Sequence, residues 1–169
     1  MMYLKIVNEP YNTTSDVGDL INYAECDKSE KRFTKTNIYT GGANIFDPYD
    51  AESEFMMVKE HFGKTSGRQV RHIILSPDPK DLFIPGELYE LALYICAYYA
   101  DRFQIIFSVH TDLYRRPHLH FVMNTVSFID GTKLHDTFAE QAEFRKYCNT
   151  YYNIIKGRSK WIKKQLNSF

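Results

Sequence analysis

Apolar positions along the chain fall into short alternating runs separated by stretches with a helical period. Met1–Val7 alternates loosely and predicts a strand. After the polar stretch Asn12–Ser15, residues Val17, Leu20, Ile21 and Ala24 recur at helical spacing and predict a helix over Ser15–Ala24. Asp27–Lys35 is charged and reads as a loop. Ile38–Ile45 carries Gly41-Gly42, which predicts a turn between short strands. A helix over Ala51–Phe62 follows, with Asp50 as its N-cap, Gly63 as its stop, and Ala51, Phe55, Val58 and Phe62 as its apolar stripe. Gln69–Ser76 predicts a strand ended by Pro77 and Pro79. Pro85 opens a helix that runs to Arg102 and buries Leu88, Leu91, Ala92, Ile95 and Tyr99. Strands over Gln104–His110 and His118–Ser127 flank a loop at Thr111–Pro117, and Asp130-Gly131 predicts a hairpin turn. The last helix covers Phe138–Ile155, with Phe144, Tyr147, Cys148, Tyr151, Tyr152 and Ile155 as its stripe.

This order predicts one α+β domain: a central, mostly antiparallel sheet with the long helices on one face and the other face left for a ligand. The 169 residues are enough for one self-sufficient core. A composition of 44% hydrophobic and 25% charged residues excludes a disordered tail or a collagen-like repeat. Cys26, Cys96 and Cys148 are odd in number and widely spaced, as expected of reduced thiols. No signal peptide and no run of 18 apolar residues is apparent, so the expectation is a cytoplasmic protein without membrane insertion. Net charge is +0, yet residues 144–169 carry +7 with no acid. The chain therefore divides into a main domain over 1–155 and a basic tail over 156–169, where Lys160 is a candidate phosphate contact.

The most informative segment is VHTDLYRRPHLHFVMN, residues 109–124. His118 and His120 are two apart in a predicted strand, so both imidazoles share one face. If the preceding strand pairs antiparallel, His110 joins them, and three imidazoles converge. Three histidines with an open position make a catalytic divalent-metal site. Imidazole suits Zn, Ni, Co and Mn better than Mg or Ca. Asp112 is placed to accept a proton from the unliganded ring nitrogen of one histidine and fix its tautomer. His72 reads as a hydrogen-bonded core residue or a phosphate-facing one. Arg115, Arg116, Arg68, Arg71 and Lys64 are candidate phosphate contacts.

The segment VHTDLYRRPHLHFVMNTVSFIDGTKLH resembles the histidine motif of conjugative relaxases, the mobilisation proteins of the HUH endonuclease superfamily, and is most similar to the MobA/VirD2-type group. The matching positions are His110, Asp112, His118, His120 and Asn124. INYAECDKSEK (21–31) is similar to the first motif of the family, whose tyrosine falls on Tyr23. FGKTSGRQVRHIILSPDP (62–79) looks like the second motif and puts His72 and Ser76 near a bound phosphate. The resemblance covers residues 3–150, and the third motif is its specific part. Many relatives carry a further histidine where this chain reads Leu113-Tyr114-Arg115-Arg116-Pro117.

The resemblance implies an HUH fold related to ferredoxin- and RRM-like sheets. It implies site- and strand-specific nicking and strand transfer at a plasmid or conjugative-element transfer origin, through a phosphotyrosine on Tyr23. The cofactor is read as Mn²⁺ or Mg²⁺, with Ni²⁺ or Zn²⁺ as alternatives. The partners are single-stranded origin-of-transfer DNA, accessory relaxosome proteins and a coupling protein, and Arg71, Asn124, Arg115, Arg116 and Lys160 join His72 and Ser76 as DNA contacts. Free phenols titrate near pH 10, so an unassisted phenolate costs about 4 kcal/mol at neutral pH; a cation beside the scissile phosphate lowers that demand. Tyr39 and Tyr114 compete with Tyr23 for the nucleophile's role. A rolling-circle initiator or transposase of the same superfamily, a non-catalytic RRM-like binding module, and a phosphoester hydrolase are the alternative readings.

Overall fold

The computed structural model describes residues 2–27, 34–35, 39–111 and 117–166. In chain order the elements are β1 (Tyr3–Ile6), α1 (Ser15–Glu25), β2 (Cys26–Asp27), β3 (Thr34–Lys35), β4 (Thr40–Ala43), α2 (Ala51–His61), β5 (Val70–Ser76), α3 (Pro85–Ala97), β6 (Ile105–His110), β7 (His118–Asn124) and α4 (Phe138–Leu166). Five strands form an antiparallel sheet in the order β1-β5-β7-β6-β4, while β2 and β3 pair as a separate ribbon. This is the expected single α+β domain.

Alternation along the central strands sends side chains into two cores. Ile105, Phe107 and Val109 of β6 join Leu119, Phe121 and Met123 of β7 under α3 and α4, against Leu88, Leu91, Ile95, Phe144 and Tyr152. The opposite face presents Ile106 and Val122, which pack with Val70 beneath Val17, Leu20, Ile21 and Phe55 of α1 and α2. The long helices α3 and α4 cover one face as expected, but the other is not left wholly open for a ligand: α1 and α2 cover part of it. Strands buried on both faces read as nearly continuous apolar runs, and each face needs its own cover.

Gly41-Gly42 does not turn the chain but lies inside the edge strand β4. A Cβ on Gly41 would meet the Phe107 ring at 2.7 Å, and one on Gly42 would meet the Ile105 carbonyl oxygen at 2.5 Å. The glycines let β4 press against β6. Asp50 makes no capping bond to α2; a 3-10 turn over Pro48–Asp50 leads into the helix, and Asp47 caps that turn by accepting from the Tyr49 amide at 2.9 Å. The buried stripe of α2 is Ala51, Phe55 and Lys59, with Val58 and Phe62 only half-buried.

Gly131 has φ of 69° in the expected turn, but only Val126 and Lys133 bridge across it, so β7 ends at Asn124. Helix α3 stops at Ala97, and Tyr99 is half-buried in the turns that follow. Helix α4 continues unbroken through residue 155 to Leu166. The basic run at 156–164 is thus carried on its last turns. There Lys156 pairs with Asp81 at 2.7 Å, and Arg158 pairs with Glu90. The three cysteines are free and buried. No helix among the described residues is long and apolar enough to cross a membrane.

Candidate active site

The antiparallel register of β6 and β7 sets His110 directly opposite His118, and Ser108 opposite His120. Because His118 and His120 are two apart, all three rings emerge on the α1 face, with centroids 4.7–5.0 Å apart. One ring nitrogen from each lies within 4.8 Å of the others. A tetrahedral ion with bonds of about 2.1 Å needs nitrogens separated by about 3.4 Å, which small side-chain rotations reach.

The remaining ring nitrogens show how the set is oriented. His110 Nε2 lies 2.6 Å from the Ala24 carbonyl oxygen, which can only accept, so Nε2 carries the proton and Nδ1 carries the lone pair, as an ion ligand must. His120 Nδ1 lies 2.8 Å from His72 Nε2; with the shared proton on His120 Nδ1, the lone pair that could bind an ion is on His120 Nε2. Burial, with the nearby Lys5 charge, pushes His72 down to about 4 and keeps it neutral at pH 7. This is the outer partner that ligating histidines require, and the set fits a divalent metal. Asp112, expected in that role, lies outside the described residues, as do Tyr114, Arg115 and Arg116.

Helix α1 brings Tyr23 to this cluster. Its apolar stripe anchors the helix to the sheet and leaves Tyr23 on the flank, 41% exposed. The Tyr23 ring stands edge-on to His120 at 5.5 Å and to His72 at 5.9 Å. Tyr39, its competitor, is packed against the larger core.

The family described as "Relaxase: MobA/VirD2-like, nuclease domain" matches residues 23–153, a span that runs from Tyr23 past all three histidines. The chain belongs to this family. The relaxase domain is also similar to "Protein rlx" of Staphylococcus aureus, with 25% identity over 172 residues, covering 89% of this chain and 48% of that protein. The chain thus spans about half the length of that relative. Its fold is similar to a solved structure from work on the "Molecular Basis of Vancomycin Resistance Transfer in Staphylococcus aureus". The TM-score is 0.62 and the identity 17%, with 94% of each chain covered.

The other expected contacts in the relaxase domain divide by position. Ser76 ends β5 on the histidine face, one residue past the Leu75–Leu119 pair and so level with His118. His72, read either as a hydrogen-bonded core residue or as a phosphate-facing one, is buried and engaged with His120, as the first of those readings has it. Arg71 is no phosphate contact: alternation turns it to the opposite face, where it forms a buried ion pair with Asp136. Lys64 and Arg68 precede β5, at the end of the sheet away from His118.

Asn124 shares the histidine face but lies at the far end of β7, fully buried beneath α2. Its Nδ2 donates to Gln104 Oε1 at 2.9 Å, and its Oδ1 accepts from Lys59 Nζ at 2.6 Å, so it is a core hub and not a DNA contact. Lys59 also donates to the Gln69 carbonyl oxygen at 2.6 Å. Burial, reinforced by the Lys133 charge, pushes Lys59 down to about 7. Lys160 is exposed on α4 and lines a cavity of about 170 Å³ with Lys80 and Lys163, beyond the end of β5.

Proposed function

We propose that this relaxase domain nicks single-stranded DNA at a transfer origin by attack of the Tyr23 hydroxyl on the scissile phosphate. One observation carries the reading: the Tyr23 ring is partly exposed and stands 5.5 Å from the ring of His120, within a cluster of three convergent imidazoles. A divalent cation bound there, Mn²⁺ or Mg²⁺ first and Ni²⁺ or Zn²⁺ as alternatives, supplies Lewis-acid polarisation of a non-bridging phosphate oxygen.

The residues do the rest. Tyr23 Oη forms a bond to phosphorus and loses its proton, the bond from phosphorus to the 3′ oxygen breaks, and that oxygen gains a proton. The products are a 5′-phosphotyrosine and a free 3′-hydroxyl. One phosphoester replaces another, so the step reverses, as strand transfer requires. His72 holds the His120 ring, and the Ala24 carbonyl holds His110. Asp112 is proposed to fix a histidine ring in the same way. Ser76, Arg115 and Arg116 are proposed to contact the DNA near the nick, and Lys160 farther along the strand.

The test is covalent capture. The purified chain is incubated with Mn²⁺ and labelled single-stranded DNA from its element's own origin, then resolved on a denaturing gel. A DNA-linked band that maps to Tyr23 supports the reading. No band on any origin strand overturns it.

A further inference from the structure

On the histidine face a cavity of about 390 Å³ opens beside Tyr23, walled by Val7, Tyr11, Asp19, Tyr23, His72 and Ile74. Its size is that of a pocket for a small organic group. Two of its walls belong to the nicking centre, since Tyr23 and His72 both touch the ring of His120. On the nicking reading above, anything held there lies beside the proposed nucleophile.

The cavity is built from flat rings and carboxylates. Tyr11 and Tyr23 each stand edge-on to His72, at 6.4 and 5.9 Å. Tyr11 keeps a left-handed backbone, φ 40°, uncommon for a non-glycine residue. Its carbonyl oxygen accepts from the Gln69 amide at 2.7 Å, which ties the segment to the start of β5. Asp16, Asp19 and Tyr23 follow at helical spacing, so both carboxylates lie on the stripe of α1 that carries Tyr23. Glu9 adds a third carboxylate, against the single ammonium of Lys5.

Three carboxylates repel a phosphate, so the cavity does not track the DNA backbone. An unpaired base has what the walls ask for: a π-face for the tyrosines and N–H donors for a carboxylate. Asp16 Oδ2 already accepts from the Thr13 amide and hydroxyl, both at 2.7 Å. Asp19, one turn before Tyr23, is the carboxylate placed to read the base.

We propose that this cavity binds the base next to the scissile phosphate and selects one that bears an amino group. Adenine, cytosine and guanine each offer amino hydrogens to Asp19. Thymine presents two carbonyl oxygens around its one N–H, and those oxygens face the carboxylate unfavourably. The inference rests on the nicking reading above and adds a specificity-determining residue to it.

The test uses origin strands randomised at the two positions flanking the nick, incubated with Mn²⁺ and the full chain. The DNA that becomes covalently attached is sequenced, and the readout is the base ratio at each position, not the total yield. Thymine is expected to be depleted about tenfold at one flanking position. Asp19→Asn, whose amide can also donate to a carbonyl, should lose that depletion at the same position, and Asp19→Ser should flatten it. Asp19 is exposed, so both variants are expected to fold, which circular dichroism checks. No depletion at either position, or the same depletion in wild type and both variants, overturns the proposal while leaving nicking intact. Absence of any adduct in the wild type overturns nicking itself, and the cavity reading with it.

Discussion

His72 Nε2 and His120 Nδ1 lie 2.8 Å apart, with their rings stacked at an interplanar angle of 18°. They come from neighbouring strands, β5 and β7, and neither is solvent-exposed. A neutral His72 can accept the Nδ1 proton of His120 and so commit Nε2 to an ion. Removing such an outer partner costs metal affinity roughly 10–100-fold. His72→Leu should therefore weaken Mn²⁺ binding by that factor in a calorimetric titration, and His72→Gln, which keeps an acceptor, should recover part of it. Unchanged affinity in His72→Leu would mean that the contact only fills space.

Loss of His118 or His120 should do more. His118→Ala and His120→Ala each remove one of three converging nitrogens, and wild-type Mn²⁺ affinity in both would exclude the triad as the site.

Tyr23→Phe keeps the ring that stands against His120 and deletes only the hydroxyl. The variant is expected to fold and to bind Mn²⁺ and DNA as the wild type does, yet to give no covalent adduct. Tyr39→Phe should retain adduct formation, because Tyr39 is packed into the larger core. If phosphate maps to another tyrosine in Tyr23→Phe, the nucleophile is wrongly assigned and the chemistry survives.

Arg71 and Asp136 form an ion pair with side chains 5% and 8% exposed. Deleting one partner of such a pair strands a charge and costs about 3–5 kcal/mol. Arg71→Met should lower the melting temperature markedly without changing the salt dependence of DNA binding. Replacing both exposed lysines Lys80 and Lys160 with serine should do the reverse, leaving stability unchanged and reducing the salt slope by up to about two contacts.

Lys59 gives a pH signature. Its ammonium sits at about 7 in the folded chain, against about 10.4 when unfolded. Between those values the unfolded chain binds more protons, so stability rises with pH across that window. Below pH 7 the full cost of the buried charge is present, at most about 5 kcal/mol. Lys59→Met should lose this rise while leaving the Gln69 carbonyl and Asn124 Oδ1 each one donor short, with Thr125 and the Val126 amide still donating to them. Melting curves from pH 6 to 10 test the sign. If the wild type gains no stability over the variant on going up that range, the buried charge is not what Lys59 contributes.

The histidine triad was legible because its geometry needs only a period of two and one antiparallel neighbour. The partner of His120 was not, since nothing in the chain says that β5 lies on the other side of β7. Lys59 escaped because the stripe of α2 was read by hydrophobicity. The helix buries positions 51, 55 and 59, and four methylenes carry the Lys59 ammonium to two oxygens. Arg71 was misassigned although His72 follows it directly, and adjacent residues of a strand face opposite sides. Asn124 was placed near DNA by its position in the resembled histidine motif, but four residues of strand carry it about 13 Å from His120.

Helix α1 ends at Glu25, so the Ala24 carbonyl is among those left without a partner in the helix ladder, and the His110 ring takes it. Ala24 directly follows Tyr23. The hydrogen bond that sets the tautomer of His110 is therefore also one tether of the last turn of the helix that carries the proposed nucleophile. Fraying of that turn and displacement of His110 are thereby linked through one coupling free energy. Whatever holds His110 in place then protects the amides around Tyr23 from exchange, and whatever loosens that turn weakens the imidazole set by the same factor, because linkage is reciprocal.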